Sequence, residues 1–143
     1  MRHLIVVIGA LIGTAGCGLL DPDTNRVVGL IGSDPTMTIE APDTVQLGVA
    51  FAATVNSFGS SSCTTADGVK LMLTPAEARV IPYDRVSTGN FACTADVAPH
   101  PHPVELHFTQ VGAATIVAVG MVIDQASGER VRGETRKAVF VLP

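Results

Sequence analysis

Period-two alternation of apolar side chains constrains this chain more than any other feature. From Thr36 onward successive runs carry apolar residues at every second position, with no stretch of helical period. Phe51, Ala53 and Val55 share one strand face while Ala52, Thr54 and Asn56 share the other. Val69, Leu71 and Leu73 alternate with Lys70, Met72 and Thr74, and Val104, Leu106 and Phe108 alternate with Glu105, His107 and Thr109. Further strands are expected over residues 36–40 and 44–46. Residues 113–123 are apolar on both faces, which predicts a central strand. Residues 78–83 read as a strand in which Pro82 implies an edge position. The last strand ends near Leu142, and a change of parity around Gly133 suggests a bulge. Ala41-Pro42-Asp43, Gly48, the Gly59-Ser60-Ser61-Ser62-Cys63 loop, Pro75, Ser87-Thr88-Gly89-Asn90 and Asp124 to Gly128 punctuate these runs. Glu77 and Ala78, after Pro75, open one helical turn at most. About seven to eight short strands at regular spacing predict an all-β chain folded as an antiparallel sandwich over residues 36–143.

The first residues follow a different pattern. Arg2 is a positive start, residues 4–12 are apolar, and Thr14-Ala15-Gly16 supplies small side chains before Cys17. That order is the order of an export signal. Small residues leading into a cysteine resemble the lipobox of bacterial lipoproteins, with Thr14 where that family prefers Leu. The resemblance implies a signal peptide over residues 1–16, cleavage before Cys17, and attachment to a membrane through lipid on Cys17. Two other readings of these residues stand beside it: secretion after a cut at Ala15 or Gly16, and an uncleaved anchor helix over residues 4–20. Residues 17–35, with Asp21-Pro22-Asp23 and several glycines, read as a tether, although Arg26 to Ile31 also suits a first strand docked on the domain.

Charge and cysteine count narrow the class. Loss of Arg2 with the signal leaves eight basic against thirteen acidic side chains, with no block of either sign. A mildly acidic, dispersed surface argues against nucleic acid as a partner and against a polybasic membrane patch. Three cysteines leave an odd one in an exported chain. If Cys17 carries lipid, Cys63 and Cys93 remain as one disulfide, at home in an oxidising compartment. No CxxC or Cys/His spacing suggests structural zinc.

The run from Ile39 through Ala41-Pro42-Asp43 and Gly48 to Phe51, and the run Phe108-Thr109-Gln110-Val111-Gly112-Ala113-Ala114-Thr115-Ile116, are similar to bacterial Ig-like domains. There a Pro-led strand reaches a Gly turn, and a later strand crosses a Gly corner into the core. The resemblance covers roughly residues 36–142. The Trp of antibody-type domains is absent, and Cys63 and Cys93 fall in loops rather than forming the inter-sheet pair. As a whole the chain resembles small bacterial lipoproteins with such a domain. The likeness implies a spacer or adhesive role and carries no catalytic residues.

Candidate chemistry is sparse. His100-Pro101-His102-Pro103, with Glu105 and His107, offers metal-ligand types, and an envelope metal-binding protein using His100, His102 and His107 is the alternative reading. The prolines favour a polyproline conformation that would turn His100 and His102 different ways, with Glu105 and His107 toward solvent. Ser60, Ser61 and Ser62 are not set in a nucleophile elbow. No spacing pairs carboxylates for glycoside chemistry, and without Trp the usual sugar platform is missing. Tyr83-Asp84-Arg85 is the densest polar-aromatic point and a candidate for partner contact. Arg130, Arg132, Arg136 and Lys137, interrupted by Glu129 and Glu134, read as edge protection. The sequence therefore predicts a lipid-anchored envelope module that binds or supports, without a cofactor. Its expected partners are the membrane, through Cys17, and an envelope protein.

Overall fold

The computed structural model describes residues 24–90 and 92–143. The expected signal peptide, Cys17 and the first part of the expected tether lie outside them. The elements, in order, are β1 (Thr24–Val28), α1 (Pro35–Thr38), β2 (Ile39–Glu40), β3 (Thr44–Gln46), β4 (Phe51–Gly59), β5 (Thr64–Leu73), β6 (Glu77–Ser87), β7 (Ala98–Leu106), β8 (Gly112–Ile123) and β9 (Arg130–Leu142). One sheet runs β1-β6-β8-β9-β3 with β5 also paired to β6, and the other runs β2-β4-β7. The chain is an all-β sandwich, as its alternation predicts. Among the described residues no helix is long and apolar enough to cross a membrane.

The core lies between the two sheets. Val55, Val80, Leu106, Phe108, Ile116, Ala118 and Val141 are fully buried there, and burying a side chain of this size contributes roughly 1.5–3 kcal/mol. Phe51 tilts against Phe108 with ring centroids 5.7 Å apart. The outer face of the larger sheet has its own small apolar stripe of Ile81, Val117 and Val119, flanked by Val28 and Tyr83. Val117 is paired to Arg79 on one side and Arg136 on the other. Those two guanidiniums share Glu77 and Glu134, so their stems roof the stripe while the charges stay in water.

Several local expectations are corrected. Within residues 17–35 the docked first strand forms, over Thr24–Val28 and not Arg26 to Ile31: β1 pairs antiparallel with β6 from Thr24↔Ser87 to Val28↔Tyr83. The chain then bridges both layers. Gly29 N–H donates to Pro82, Ile31 N–H donates to Met121, and the Leu30 carbonyl accepts from Phe58 N–H in the smaller sheet. The helical turn forms at Pro35–Thr38, not after Pro75. Asp34 caps it by accepting from Thr36 N–H at 2.8 Å, and Pro35 opens it at a position that needs no donor. Glu77 instead begins β6. Not every pair is antiparallel: β6 and β8 run parallel because β7 crosses to the other sheet between them, and β3 runs parallel to β9.

Pro82 is not on an edge. β6 has β5 on one flank, and β8 followed by β1 on the other. The Pro82 carbonyl points to the second flank, accepting from Gly29. In a strand the nitrogen of the same residue points the same way, so the missing N–H falls at the changeover from β8 to β1. Gly133 forms no bulge. It pairs directly with Gly120, and a Cβ there would meet Val122 Cγ2 at 2.6 Å. The bulge lies in β5, where the register shifts between Ala66 and Val69. Gly68 takes φ of +83° there, a conformation costly for other residues.

Candidate functional site

The polar side chains meet inside the sandwich. β7 alternates strictly: His100, His102 and Leu106 are buried while Pro99, Pro101, Pro103 and Glu105 are exposed. The expected polyproline twist is overridden by a nine-residue ladder with β4. Proline has no N–H, so the residues between the prolines carry the ladder bonds, and the proline nitrogens fall on the free side of an edge strand. The His-Pro-His-Pro run thus shields an edge against further pairing and turns two imidazoles inward. His107 lies beyond the strand and is exposed. His100 and His102 therefore share a face, and His107 is not with them. Among the described residues no group of three His, Cys, Asp or Glu side chains is placed to hold a metal ion.

Tyr83-Asp84-Arg85 also divides by parity. Tyr83 and Arg85 lie on the outer face. Arg26 stacks 3.9 Å over the Tyr83 ring. Asp67, in the β5 bulge, bonds Arg26 at 3.0 Å and Arg85 at 3.3 Å. Asp84 faces the interior and is 2% exposed. The three do not form one contact surface.

Asp84 instead meets Ser57 and His102. Ser57 Oγ donates to Asp84 Oδ1 at 2.7 Å. His102 Nε2 lies 3.0 Å from that oxygen and 3.0 Å from Ser57 Oγ. His102 Nδ1 faces the Gly68 carbonyl at 3.2 Å. β4, β5, β6 and β7 each contribute one group, so the cluster links both sheets. Gly29 closes it from the N-terminal side, its Cα so near that an added Cβ would sit 3.0 Å from Asp84 Oδ2. The members are those of a hydrolytic triad, but the arrangement is not. The carboxylate meets the same ring nitrogen as the serine, where a triad needs it on the other, and Ser57 is wholly buried. What the cluster can do is satisfy buried polar groups and fix the register of four strands. His100 points to the same interior, and its Nε2 is buried without a hydrogen-bond partner among the described residues.

Sequence reasoning missed Ser57 and Gly68. Ser57 continues the inward parity of Ala53 and Val55, and His102 continues that of Leu106 and Val104 backwards along β7. Two polar residues at inward positions of facing strands were the available signal. Gly68 had none, because its role depends on a bulge set by pairing to β6.

The second polar site surrounds the disulfide. Cys63 and Cys93 are bonded, with Cα atoms 5.6 Å apart. Thr94 Oγ1 meets the hydroxyls of Ser60, Ser61 and Ser62 and donates to Asp96, which also accepts from Ser61 N–H at 3.1 Å. These donors, the Thr94 hydroxyl first, hold the Asp96 carboxyl down at about 2. Hydroxyls from both sides of the bond thus order a loop that composition alone would leave open. Elsewhere a hollow of about 240 Å³ opens between Ile31, Phe58 and Val122.

The class these features define is a disulfide-closed, all-β sandwich with a sealed polar cluster in its core. Comparison with family models, with curated proteins and with solved structures gave no match.

Proposed function

We propose that the chain is a lipid-anchored module of a bacterial cell envelope, an Ig-like sandwich that binds or spaces and does not catalyse. The observation that carries this reading is the Cys63–Cys93 bond. Disulfides persist in oxidising compartments, and this pairing leaves Cys17 as the odd cysteine of three, directly after Thr14-Ala15-Gly16. A lipid anchor gives that residue a use. The β7 edge, shielded by alternate prolines, suits a domain that must stay unpaired among crowded neighbours. The Ser57–Asp84–His102 cluster is buried and is read here as structural. Gly48 and Gly112, the two turn glycines of the resemblance, both take positive φ, which supports the Ig-like assignment.

Fractionation of cells producing the full chain and its Cys17→Ser variant tests the anchor. The full chain should sediment with membranes and resist high salt, and the variant should be soluble or retained as a longer precursor. Equal release of both proteins by salt would reject the proposal.

A further inference from the structure

An imidazole whose two nitrogens both face acceptors needs two hydrogens. His102 Nδ1 faces the Gly68 carbonyl, which can only accept. Its Nε2 faces Asp84 Oδ1 and Ser57 Oγ at equal distance. Ser57 has one hydroxyl hydrogen, and its shortest contact gives that hydrogen to Asp84, so toward the ring it presents a lone pair. A neutral imidazole brings one N–H. With Asp84 ionised, one ring nitrogen would then press its lone pair against an oxygen, in a place where the side chains are 0% and 3% exposed and water offers no relief.

We propose that His102 and Asp84 together bind one proton beyond what a neutral ring and a carboxylate hold, and that this proton clasps the β5 bulge to β7. With it, both ring nitrogens have a partner: Nδ1–H donates to Gly68, and a hydrogen lies between Nε2 and Oδ1. Without it, the ring can satisfy Asp84 only by giving up the Gly68 carbonyl. That carbonyl belongs to β5, which pairs on one flank only, at the point where its register already shifts. Loss of the proton therefore loosens an edge of the larger sheet and leaves the β8–β9 ladder alone.

The neighbouring groups do not supply the charge by another route. Of the side chains hydrogen-bonded to Asp84, Ser57 and His102, only His102 can become a cation. Asp67, on the β5 bulge, spends its carboxylate on Arg26 and Arg85 at the outer face. On β7, His100 lines the same interior with its Nε2 unpartnered among the described residues. From the N-terminal side Gly29 brings backbone alone.

Long-range proton–nitrogen NMR of the histidine-labelled full chain at pH 7 reads the proton directly, with the carboxyl carbon of Asp84 observed beside it. The expected result is hydrogen on both His102 nitrogens, or hydrogen on Nδ1 with a protonated Asp84. A neutral ring beside an ionised Asp84 overturns the proposal. In Asp84→Asn the ring should be neutral with its hydrogen on Nδ1, and a doubly protonated ring there, or hydrogen on Nε2, also overturns it. As pH is raised until the ring signal reports loss of the proton, amide exchange at Gly68 and Val69, corrected for its intrinsic rate, should quicken about fivefold to tenfold relative to Ile116, the scale of one lost hydrogen bond. Equal change at all three sites removes the clasp.

Discussion

A methyl group on Gly29 would lie 2.8 Å from Ser57 Cβ and 3.0 Å from Asp84 Oδ2. The N-terminal segment can cross between the sheets only because this residue has no side chain, and both atoms it would strike are held in the buried cluster. Gly29→Ala should cost about 1–3 kcal/mol, the usual range for forced overpacking. Thermal melting should fall by roughly 4–15 °C. An unchanged melting temperature would mean that residues 24–31 are not docked as described.

Asp84 and Arg85 are sequence neighbours with opposite surroundings, and their variants should differ accordingly. Asp84→Ala takes the shared partner from Ser57 Oγ and His102 Nε2 in the core. Removing one partner of a buried pair costs about 3–5 kcal/mol. Arg85→Ala loses an ion pair whose guanidinium side is 51% exposed, worth at most about 1 kcal/mol. Denaturant unfolding of the two variants separates them, and equal destabilisation would contradict the division of the Tyr83-Asp84-Arg85 run between two faces.

Much of the fold was legible in residue parity. The alternation over β4, β5 and β7 places the core faces correctly, because period two admits one solution once one face must be buried, and the two-faced apolar run of β8 marks its central place between β6 and β9. Where the structure departs from local pattern, a long-range partner decides the matter. Pro82 looked like an edge residue until the change of neighbour from β8 to β1 gave its nitrogen a gap to face. His100 and His102 looked divergent because proline favours an open helix, a local preference that the ladder to β4 outweighs. The buried cluster was half visible. Ser57, Asp84 and His102 each continue an inward-facing row, but their meeting depends on which strands lie opposite, and local pattern does not record that.

The Cys63–Cys93 bond closes a separation of 30 residues, for which the loss of chain entropy in the unfolded state gives about 3–4 kcal/mol. Reduction, or the double change Cys63→Ala with Cys93→Ala, should lower melting by roughly 10–20 °C. Thiol counting in denaturant should find neither cysteine free. Melting that ignores reduction would deny the bond its structural part.

Asp96 should make the disulfide loop sensitive to acid. Its carboxyl is depressed from 3.8 to about 2 by the Thr94 hydroxyl, then by Ser61. A depressed carboxyl stabilises the folded form above its unfolded value and loses that contribution as pH falls through the folded one. The window is therefore pH 4 to 2, with stability falling as acid is added. Asp96→Asn should flatten the melting curve against pH across that window, and a variant that follows the parent slope there would show that Asp96 does not anchor the loop.

The most direct test of the proposed role is the mass of the mature N-terminus. Protein taken from native envelopes should yield an N-terminal peptide that begins at Cys17 and carries the added mass of a diacylglyceryl group on its sulfur. An unmodified Cys17, a start at Gly16, or an intact Met1 would contradict the lipid anchor and with it the placement of this sandwich at a membrane.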